Sequence, residues 1–258
     1  MKKTYKIYPS KKGQIKTFDE LPSPCVYSPA KYGLKDYGSG EGVSISIIDS
    51  GKPSHKDIKN IIESVDLSNS NSDNDFLGHA TMISGIIGAS NKDSGIFGLA
   101  TSADLYFPKV VNAGGLCSYD ALLAAVLWSI VKNVDIILIS LGSEIDHAVL
   151  YDAIKKAYEN GIVVISSSGD DGPKFPASYK EVLSVGRTTG KTSADAQLVI
   201  SDRNMKTTYL NNRYTKASGT SLTAAVGAGL AALIIEQNNK SGKDISPSKV
   251  YKELSSLK

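Results

Sequence analysis

The pattern of apolar and polar positions along the chain marks two kinds of segment, which alternate. Short runs rich in Val, Ile and Leu end at Gly, Asp or Ser, which is typical of strands buried on both faces. Segments with small or amphipathic apolar spacing lie between them and predict helices. The predicted strands are 43–48, 104–111, 134–141, 162–168, 182–186 and 198–200, and the predicted helices are 78–89, 121–132, 148–160, 219–234 and a short last one that begins at Pro247 with Ser246 as its N-cap. Because strands and helices alternate and their connections are long enough for crossovers, the pattern predicts an α/β fold, a three-layer α/β/α arrangement with a mainly parallel sheet.

The segment 219–234 has a composition unlike that of the other predicted helices. It opens with Gly219-Thr220-Ser221 and continues as an almost wholly apolar helix full of Ala and Gly, which can be buried on every side. Ser221 lies at its N-terminal end, where unpaired backbone N–H groups and the positive end of the helix dipole collect. Ser221 is therefore either an ordinary helix cap or a nucleophile whose oxyanion would face those N–H groups. The choice depends on whether a base and an acid occur elsewhere.

Two residues at the ends of other elements could supply that acid and base. Asp49 follows the strand 43–48, and His79 opens the helix 78–89. Taken singly, Asp49 is more often a turn residue and His79 an ordinary histidine at a helix start. Together with Ser221 they stand in the order acid, base, nucleophile, each at the tip of a separate element of one α/β sheet. This arrangement is hard to explain as three caps and indicates a catalytic set.

Composition narrows the class of protein and its partners. The chain has 258 residues, of which 41% are hydrophobic, enough for one large domain, although the length alone would permit two. The formal net charge is +3, and the N-terminal lysine cluster lacks Arg, so a solvated tail is favoured over a nucleic-acid arm. Two cysteines, Cys25 and Cys117, cannot build a disulfide framework. No signal-peptide pattern is found and no apolar run approaches a membrane span, so we expect a cytoplasmic protein without nucleic-acid or membrane partners.

Three short motifs resemble those of the subtilisin-like serine proteases, and within them the intracellular branch. They are Ile47-Ile48-Asp49-Ser50-Gly51, Gly78-His79-Ala80-Thr81 and Gly219-Thr220-Ser221, and the likeness covers roughly residues 21 to 258. The resemblance implies a subtilisin-like fold and a serine endopeptidase in which Ser221 attacks the peptide carbonyl, His79 moves the proton and Asp49 orients His79. A protein or peptide substrate would bind in extended form between two chain edges. The residues implied to contact it are Gly115, Leu116, Cys117, Ser140, Leu141, Gly142, Ser168, Gly169 and Thr220.

The chain also departs from the family pattern. Asp170 stands where the family has an oxyanion-hole asparagine. An ionised carboxylate there accepts hydrogen bonds and repels an oxyanion, whereas a protonated Asp170 could donate one. Ala80 replaces a glycine as well. The alternative function is therefore a catalytically weak or inactive relative that binds peptides in the same groove. Asp170 and its neighbour Asp171 favour Lys or Arg on the acyl side of the cleaved bond, unless Asp171 is a solvated loop residue.

The resemblance also bears on cofactors and on the N-terminal segment. The mechanism requires no cofactor. Asp57 resembles one ligand of a calcium site common in the family, but Lys92 stands where an amide ligand is expected. Residues 1–20 precede the protease domain of residues 21–258 and are too few to fold alone. They resemble a short inhibitory extension, with Ile7-Tyr8-Pro9 as the segment expected to cross the cleft.

Overall fold

The structure, a computed structural model, describes residues 15–35, 37–170, 174–189 and 196–257, together with the backbone of Thr4–Lys6. Its strands are β1 (Thr4–Lys6), β2 (Thr17–Phe18), β3 (Cys25–Val26), β4 (Ser44–Ile48), β5 (Ile61–Asp66), β6 (Ile96–Phe97), β7 (Asp104–Lys109), β8 (Leu116–Ser118), β9 (Ile136–Ile139), β10 (Val163–Ser167), β11 (Leu183–Arg187), β12 (Leu198–Ile200), β13 (Met205–Tyr209) and β14 (Arg213–Ala217). Its helices are α1 (His79–Gly88), α2 (Tyr119–Val131), α3 (Ala148–Glu159), α4 (Thr220–Lys240) and α5 (Pro247–Ser255), with a 3₁₀ helix at Pro29–Tyr32. Every predicted strand and helix is present.

A seven-stranded sheet forms the middle layer, in the order β12-β11-β10-β9-β4-β7-β5. All six neighbouring pairs in this sheet are parallel. Successive side chains of a strand point to opposite faces, and the core divides accordingly. In β4, Ile45 and Ile47 belong to one apolar cluster and Ile48 belongs to the other. Because both faces are covered, the strands need apolar residues at every position, which confirms the predicted α/β fold with a parallel sheet.

Helices cover both faces of the sheet and complete the three layers. The apolar cluster on one face contains residues of α1, α4 and α5, and the cluster on the other face contains residues of α2 and α3. Helix α2 begins after Ser118, whose Oγ accepts a hydrogen bond from the N–H of Ala121 at 3.1 Å. Helix α5 begins at Pro247 as predicted. Ser246, however, makes no capping bond, because its hydroxyl bonds to the carboxylate of Asp244 instead.

Helix α4 is the central element of its layer and is buried along most of its length. Glycines allow close approach: a Cβ at Gly229 would lie 2.8 Å from the side chain of Leu99, and one at Gly227 would lie 3.1 Å from Val185. With a mean hydropathy of 1.3, α4 is long and apolar enough to cross a membrane, so the prediction that no apolar run approaches a span was wrong. Its most apolar stretch is 94% buried inside the protein, as in the core helix of a folded domain.

The sequence pattern missed the short strands β2, β3, β6 and β8 and two longer strand regions. Strand β5 forms the edge of the main sheet, and its alternation of apolar and polar residues is weak. Strands β13 and β14 form an antiparallel hairpin with β2 added at one side. Asn211 and Asn212 connect the hairpin with left-handed backbone, at φ 58° and 57°. An Asn-Asn pair between runs containing Thr and Tyr is a hairpin signal and could have revealed it.

Candidate active site

Two strand ends bring the first site residues together. Strands β4 and β9 are neighbours, and their register pairs Ile48 with Ile139. The residues that follow, Asp49 and Ser140, therefore lie side by side at the carboxyl edge of the sheet, and both are buried. Ligands of open parallel sheets bind at this edge.

Asp49 and His79 are joined by a buried hydrogen bond. Both carboxylate oxygens of Asp49 lie 2.8 Å from Nδ1 of His79, and Oδ1 also accepts the N–H of Ser50 at 2.6 Å. With the proton on Nδ1, Nε2 of His79 is left to accept one. Burial would lower the pKa of His79, but the charge of Asp49 and its hydrogen bond, with a contribution from Asp75, raise it above the ordinary value of 6.5.

The turn before α1 fixes His79 and depends on a residue that sequence reasoning missed. Asp75, interpreted only as part of a loop, is a buried carboxylate at the start of this helix. It accepts hydrogen bonds from the N–H groups of Leu77, Gly78 and Thr81 and from the hydroxyls of Ser50 and Thr81. Its position four residues before His79 could have revealed this role, because a carboxylate there can accept hydrogen bonds from the unpaired N–H groups of the first turn. Gly78 has φ 81°, and a Cβ there would collide with the ring of Tyr209.

Ser221 is the second residue of α4 and is buried at the same edge of the sheet. Its Oγ donates a long hydrogen bond, 3.5 Å, to the carbonyl of Ser140. Since Ser140 lies beside Asp49, the structure gathers the acid, the base and the serine around neighbouring strand ends. No hydrogen bond joins Ser221 to His79 among the described residues. Such bonds are often long in free enzymes and shorten when substrate binds.

Asp170 lies against the turn that carries Ser221. Its Oδ1 accepts the N–H of Thr220 at 3.0 Å and lies 3.3 Å from Nε of Arg187. Its Oδ2 faces Gly219, where a Cβ would lie 3.5 Å away, and makes no hydrogen bond within the described part of the chain. The sequence left Asp170 as either an ionised acceptor or a protonated donor. The contacts of Oδ1 are those of an acceptor, Oδ2 is the oxygen that would carry the proton of a donor, and the pairing with Arg187 was not foreseen.

The first edge implied to bind substrate is formed by Gly115, Leu116 and Cys117. Strand β8 covers the last two and pairs with β1 in antiparallel register, Tyr5 opposite Cys117 and Lys6 opposite Leu116. The backbone of Thr4–Lys6 therefore lies along this edge. Ile7-Tyr8-Pro9 lies outside the described residues. Burial raises the pKa of Cys117 to about 12, so its thiol is neutral at ordinary pH and is not a competing nucleophile.

The second edge is formed by Ser140, Leu141 and Gly142, with Ser168 and Gly169 after the neighbouring strand β10. The hydroxyls of Ser140 and Ser168 are buried and have no hydrogen-bond partner among the described residues. Gly169 has φ 91°, a left-handed conformation that suits glycine and turns the chain toward Asp170. Buried hydroxyls without partners are unusual, and here they lie on two adjoining strand ends of the site.

The charge argument for substrate preference changes with the structure. Asp171 lies outside the described residues, so its part of that argument stays a prediction. The charge of Asp170 is compensated by Arg187. Because the same guanidinium also pairs with Asp202, it offsets the acidic character expected of Asp170 only in part.

Asp57 is buried, and both its oxygens are taken by hydrogen-bond donors. Oδ1 accepts from Nδ2 of Asn91 at 2.9 Å, and Oδ2 accepts from the hydroxyl of Tyr214 at 2.9 Å and the N–H of Ile96 at 3.1 Å. Donor hydrogens point to where a cation would sit, so this arrangement does not fit calcium. No cluster of three or more His, Cys, Asp or Glu side chains suited to a metal occurs in the part of the chain that the structure describes.

An Asp–His pair and a serine at the start of a buried helix, gathered at the carboxyl edge of one parallel sheet, are the arrangement of a serine hydrolase. Residues 40–255 match the subtilase family, peptidase S8, and the chain belongs to that family.

Relatives with protease names cover most of the chain. It is 31% identical to subtilisin DY of Bacillus licheniformis over 84% of either protein. It is 29% identical to the major intracellular serine protease of Bacillus subtilis, over 93% of this chain and 83% of that protein. It is 34% identical to the minor extracellular protease Epr of Bacillus subtilis over 78% of its length, but spans only 33% of Epr.

Proposed function

We propose that this protein is a serine endopeptidase that hydrolyses peptide bonds through an acyl-enzyme, with Asp49, His79 and Ser221 as its catalytic triad. The observation that carries the proposal is the buried Asp49–His79 hydrogen bond at the strand end beside the Ser221 turn. Proteins named as proteases among the relatives support the same reaction.

Each triad residue has one role in the mechanism. Ser221 Oγ attacks the carbonyl carbon of the substrate as its proton passes to Nε2 of His79. Asp49 accepts the Nδ1–H hydrogen bond and stabilises the imidazolium that results. His79 then gives the proton to the departing amine, which leaves Ser221 acylated. Water then attacks the ester while Nε2 of His79 takes its proton. His79 returns that proton to Oγ of Ser221 as the acid product leaves, and the free enzyme is restored.

The oxyanion of the tetrahedral intermediate would be held at the start of α4. The N–H of Ser221 lies in the first helical turn, where N–H groups lack intrahelical partners and the dipole favours negative charge. Asp170 lies on the other side of this turn, in the proposed oxyanion-hole position. Its Oδ2 makes no hydrogen bond within the described residues. An ionised Asp170 adds no donor, so we expect a modest turnover number.

Covalent labelling by a serine-directed phosphonate that carries a detectable tag tests the triad. We expect the parent protein to be labelled and to hydrolyse a peptide substrate, and Ser221→Ala to do neither. His79→Ala should lose turnover by a similar factor, because the nucleophile and base act as a unit. A parent protein that binds peptides in the cleft but is neither labelled nor active would establish the alternative, an inactive peptide-binding relative.

We also propose that residues 1–20 hold the enzyme latent by occupying the substrate edge. Strand β1 pairs antiparallel with β8, which is how an extended peptide adds to a sheet edge. The same segment is anchored again by β2, which pairs with β14 just before the Ser221 turn. Arg213 strengthens this anchor through a 2.8 Å contact with Asp19.

Truncation tests latency. A chain beginning at Ile15 loses β1 but keeps β2 and the Arg213–Asp19 pair, so its fold should be retained. We expect it to be more active than the full chain, and a synthetic peptide of residues 1–14 should inhibit it competitively. Equal activity of the two chains, with no inhibition by the peptide, would remove the proposal.

A cytoplasmic location also remains a proposal. Two relatives carry intracellular names, the major intracellular serine protease and the intracellular serine protease of Paenibacillus polymyxa, whereas Epr is named as extracellular. Fractionation of cells that produce the full chain would test it.

A further inference from the structure

Arg187 forms a partly buried charge network behind the serine turn. It ends strand β11, beside β10, and Asp170 follows β10 at the same sheet edge. Its Nε lies 3.3 Å from Oδ1 of Asp170, and its Nη1 donates a 3.3 Å hydrogen bond to Oδ2 of Asp202. Asp202 is 1% exposed and is fixed in turn by the hydroxyl of Thr189 at 2.7 Å. Asp202 therefore anchors one side of the guanidinium, and the other side faces Asp170.

Nε of Arg187 makes no hydrogen bond with correct geometry among the described residues, although it is buried. Its attraction to Asp170 is therefore one of charge. A buried N–H group without a hydrogen bond, such as Nε of Arg187, is unusual and points to a role beyond holding the two strands together.

We propose that Arg187 is a positioning residue that makes an aspartate tolerable at the oxyanion end of the active site. Its charge compensates Asp170 and fixes the carboxylate so that Oδ1 accepts the Thr220 N–H. That contact holds the turn on which Ser221 is mounted. The inference deepens the proposed peptidase function and rests on it.

Two consequences follow for the reaction. Without the guanidinium, an uncompensated carboxylate would lie beside the site where negative charge develops in the transition state. The carboxylate would also be free to move toward solvent and release the Thr220 N–H. Both effects lower kcat more than they raise KM, because they act on the transition state rather than on substrate binding.

A double-mutant cycle between Arg187 and Asp170 tests the inference. Arg187→Gln should lower kcat about 10- to 100-fold, the range expected when a catalytic group is displaced by about 1 Å. In the Asp170→Asn background no charge needs compensation, so the same substitution should lower kcat by less than about threefold. Arg187→Lys should retain more activity than Arg187→Gln, because it keeps the charge without the fork that spans both carboxylates.

Urea unfolding of each variant provides the second readout, and it separates a folding defect from a catalytic one. If Arg187 serves only the fold through Asp202, kcat falls by the same factor in both backgrounds, and the inference is overturned. If Arg187→Gln does not fold, the comparison of Arg187→Lys across the two backgrounds decides in the same way. Hydrolysis by the parent that does not depend on Ser221 would instead overturn the peptidase function and this inference together.

Discussion

Replacing Asp170 by asparagine is the most informative single change at this site. Asn keeps an acceptor for the Thr220 N–H, which Asp170 Oδ1 accepts at 3.0 Å. It also exchanges Oδ2, which has no hydrogen bond among the described residues, for an NH₂ group that can donate to the oxyanion. The substitution thus adds a donor where the present structure offers an acceptor.

The magnitude follows from the donor gained and the ion pair lost. One oxyanion donor contributes about 10²- to 10³-fold in kcat, which sets the ceiling for Asp170→Asn. We expect a rise of at least about tenfold, since the new amide will not reach ideal geometry at once. The lost pair with Arg187 is 14–20% exposed, so its removal should cost more than the about 1 kcal/mol of an exposed ion pair but less than the about 3–5 kcal/mol of a fully buried one, since Arg187 keeps Asp202 as a partner.

The assay is kcat and KM on a peptide substrate across pH, with urea unfolding alongside. Asp202→Asn is the matched control, because it removes one charge from the same guanidinium but adds no donor at the Ser221 turn. It should not raise kcat. If Asp170 is an ionised acceptor, the gain of Asp170→Asn should have the same size at every pH. A gain confined to alkaline pH would mean that Asp170 works as a protonated donor, and a loss at every pH would refute the oxyanion assignment.

Three further substitutions probe the base and its support. Asp49→Asn should lower kcat about 10⁴-fold and move the acid limb of the residual activity to lower pH, because the lowering of the His79 pKa by burial is then opposed only by Asp75; an unmoved limb would contradict the cause given for the raised pKa. The raised His79 pKa also means that its pairing stabilises the fold fully below pH 6.5 and that this stability is lost as pH rises through the folded pKa, which urea unfolding at several pH values would measure. Asp75→Asn should shift the acid limb the same way and destabilise the protein by about 0.5–2 kcal/mol through the weakened α1 cap, with KM nearly unchanged; a change in KM alone would argue against the positioning role. Gly78→Ala should lower the melting temperature more than Gly161→Ala, because both have left-handed backbone but only Gly78 meets a side chain, and equal losses would count against that collision.

The sequence was sufficient to predict those strands and helices whose apolar pattern depends only on their burial. Strands such as β4 and β9 are buried on both faces, so their continuous apolar runs identify them without knowledge of their neighbours. Strand β5 lies at a sheet edge and β13–β14 forms a small separate sheet, where polar residues are tolerated and the apolar signal fades. The three residues of the proposed triad could be singled out because each closes or opens a well-marked element.

The supporting residues could not be found in this way. Arg187 and Asp170 are separated in sequence and meet only because β10 and β11 are neighbours in a defined register. Asp75 lies close to His79 in sequence, but its loop composition concealed a carboxylate with five hydrogen-bond donors around it.

The burial of α4 has a consequence for how the enzyme should fail on heating. Ser221 is mounted on a helix enclosed by the core, so local opening cannot release it while the rest of the domain stays folded. The hydrogen-bonded amide protons in the buried part of α4 should exchange with solvent only through global unfolding. Activity and native structure should then disappear in a single transition, without a folded but inactive state at intermediate temperature.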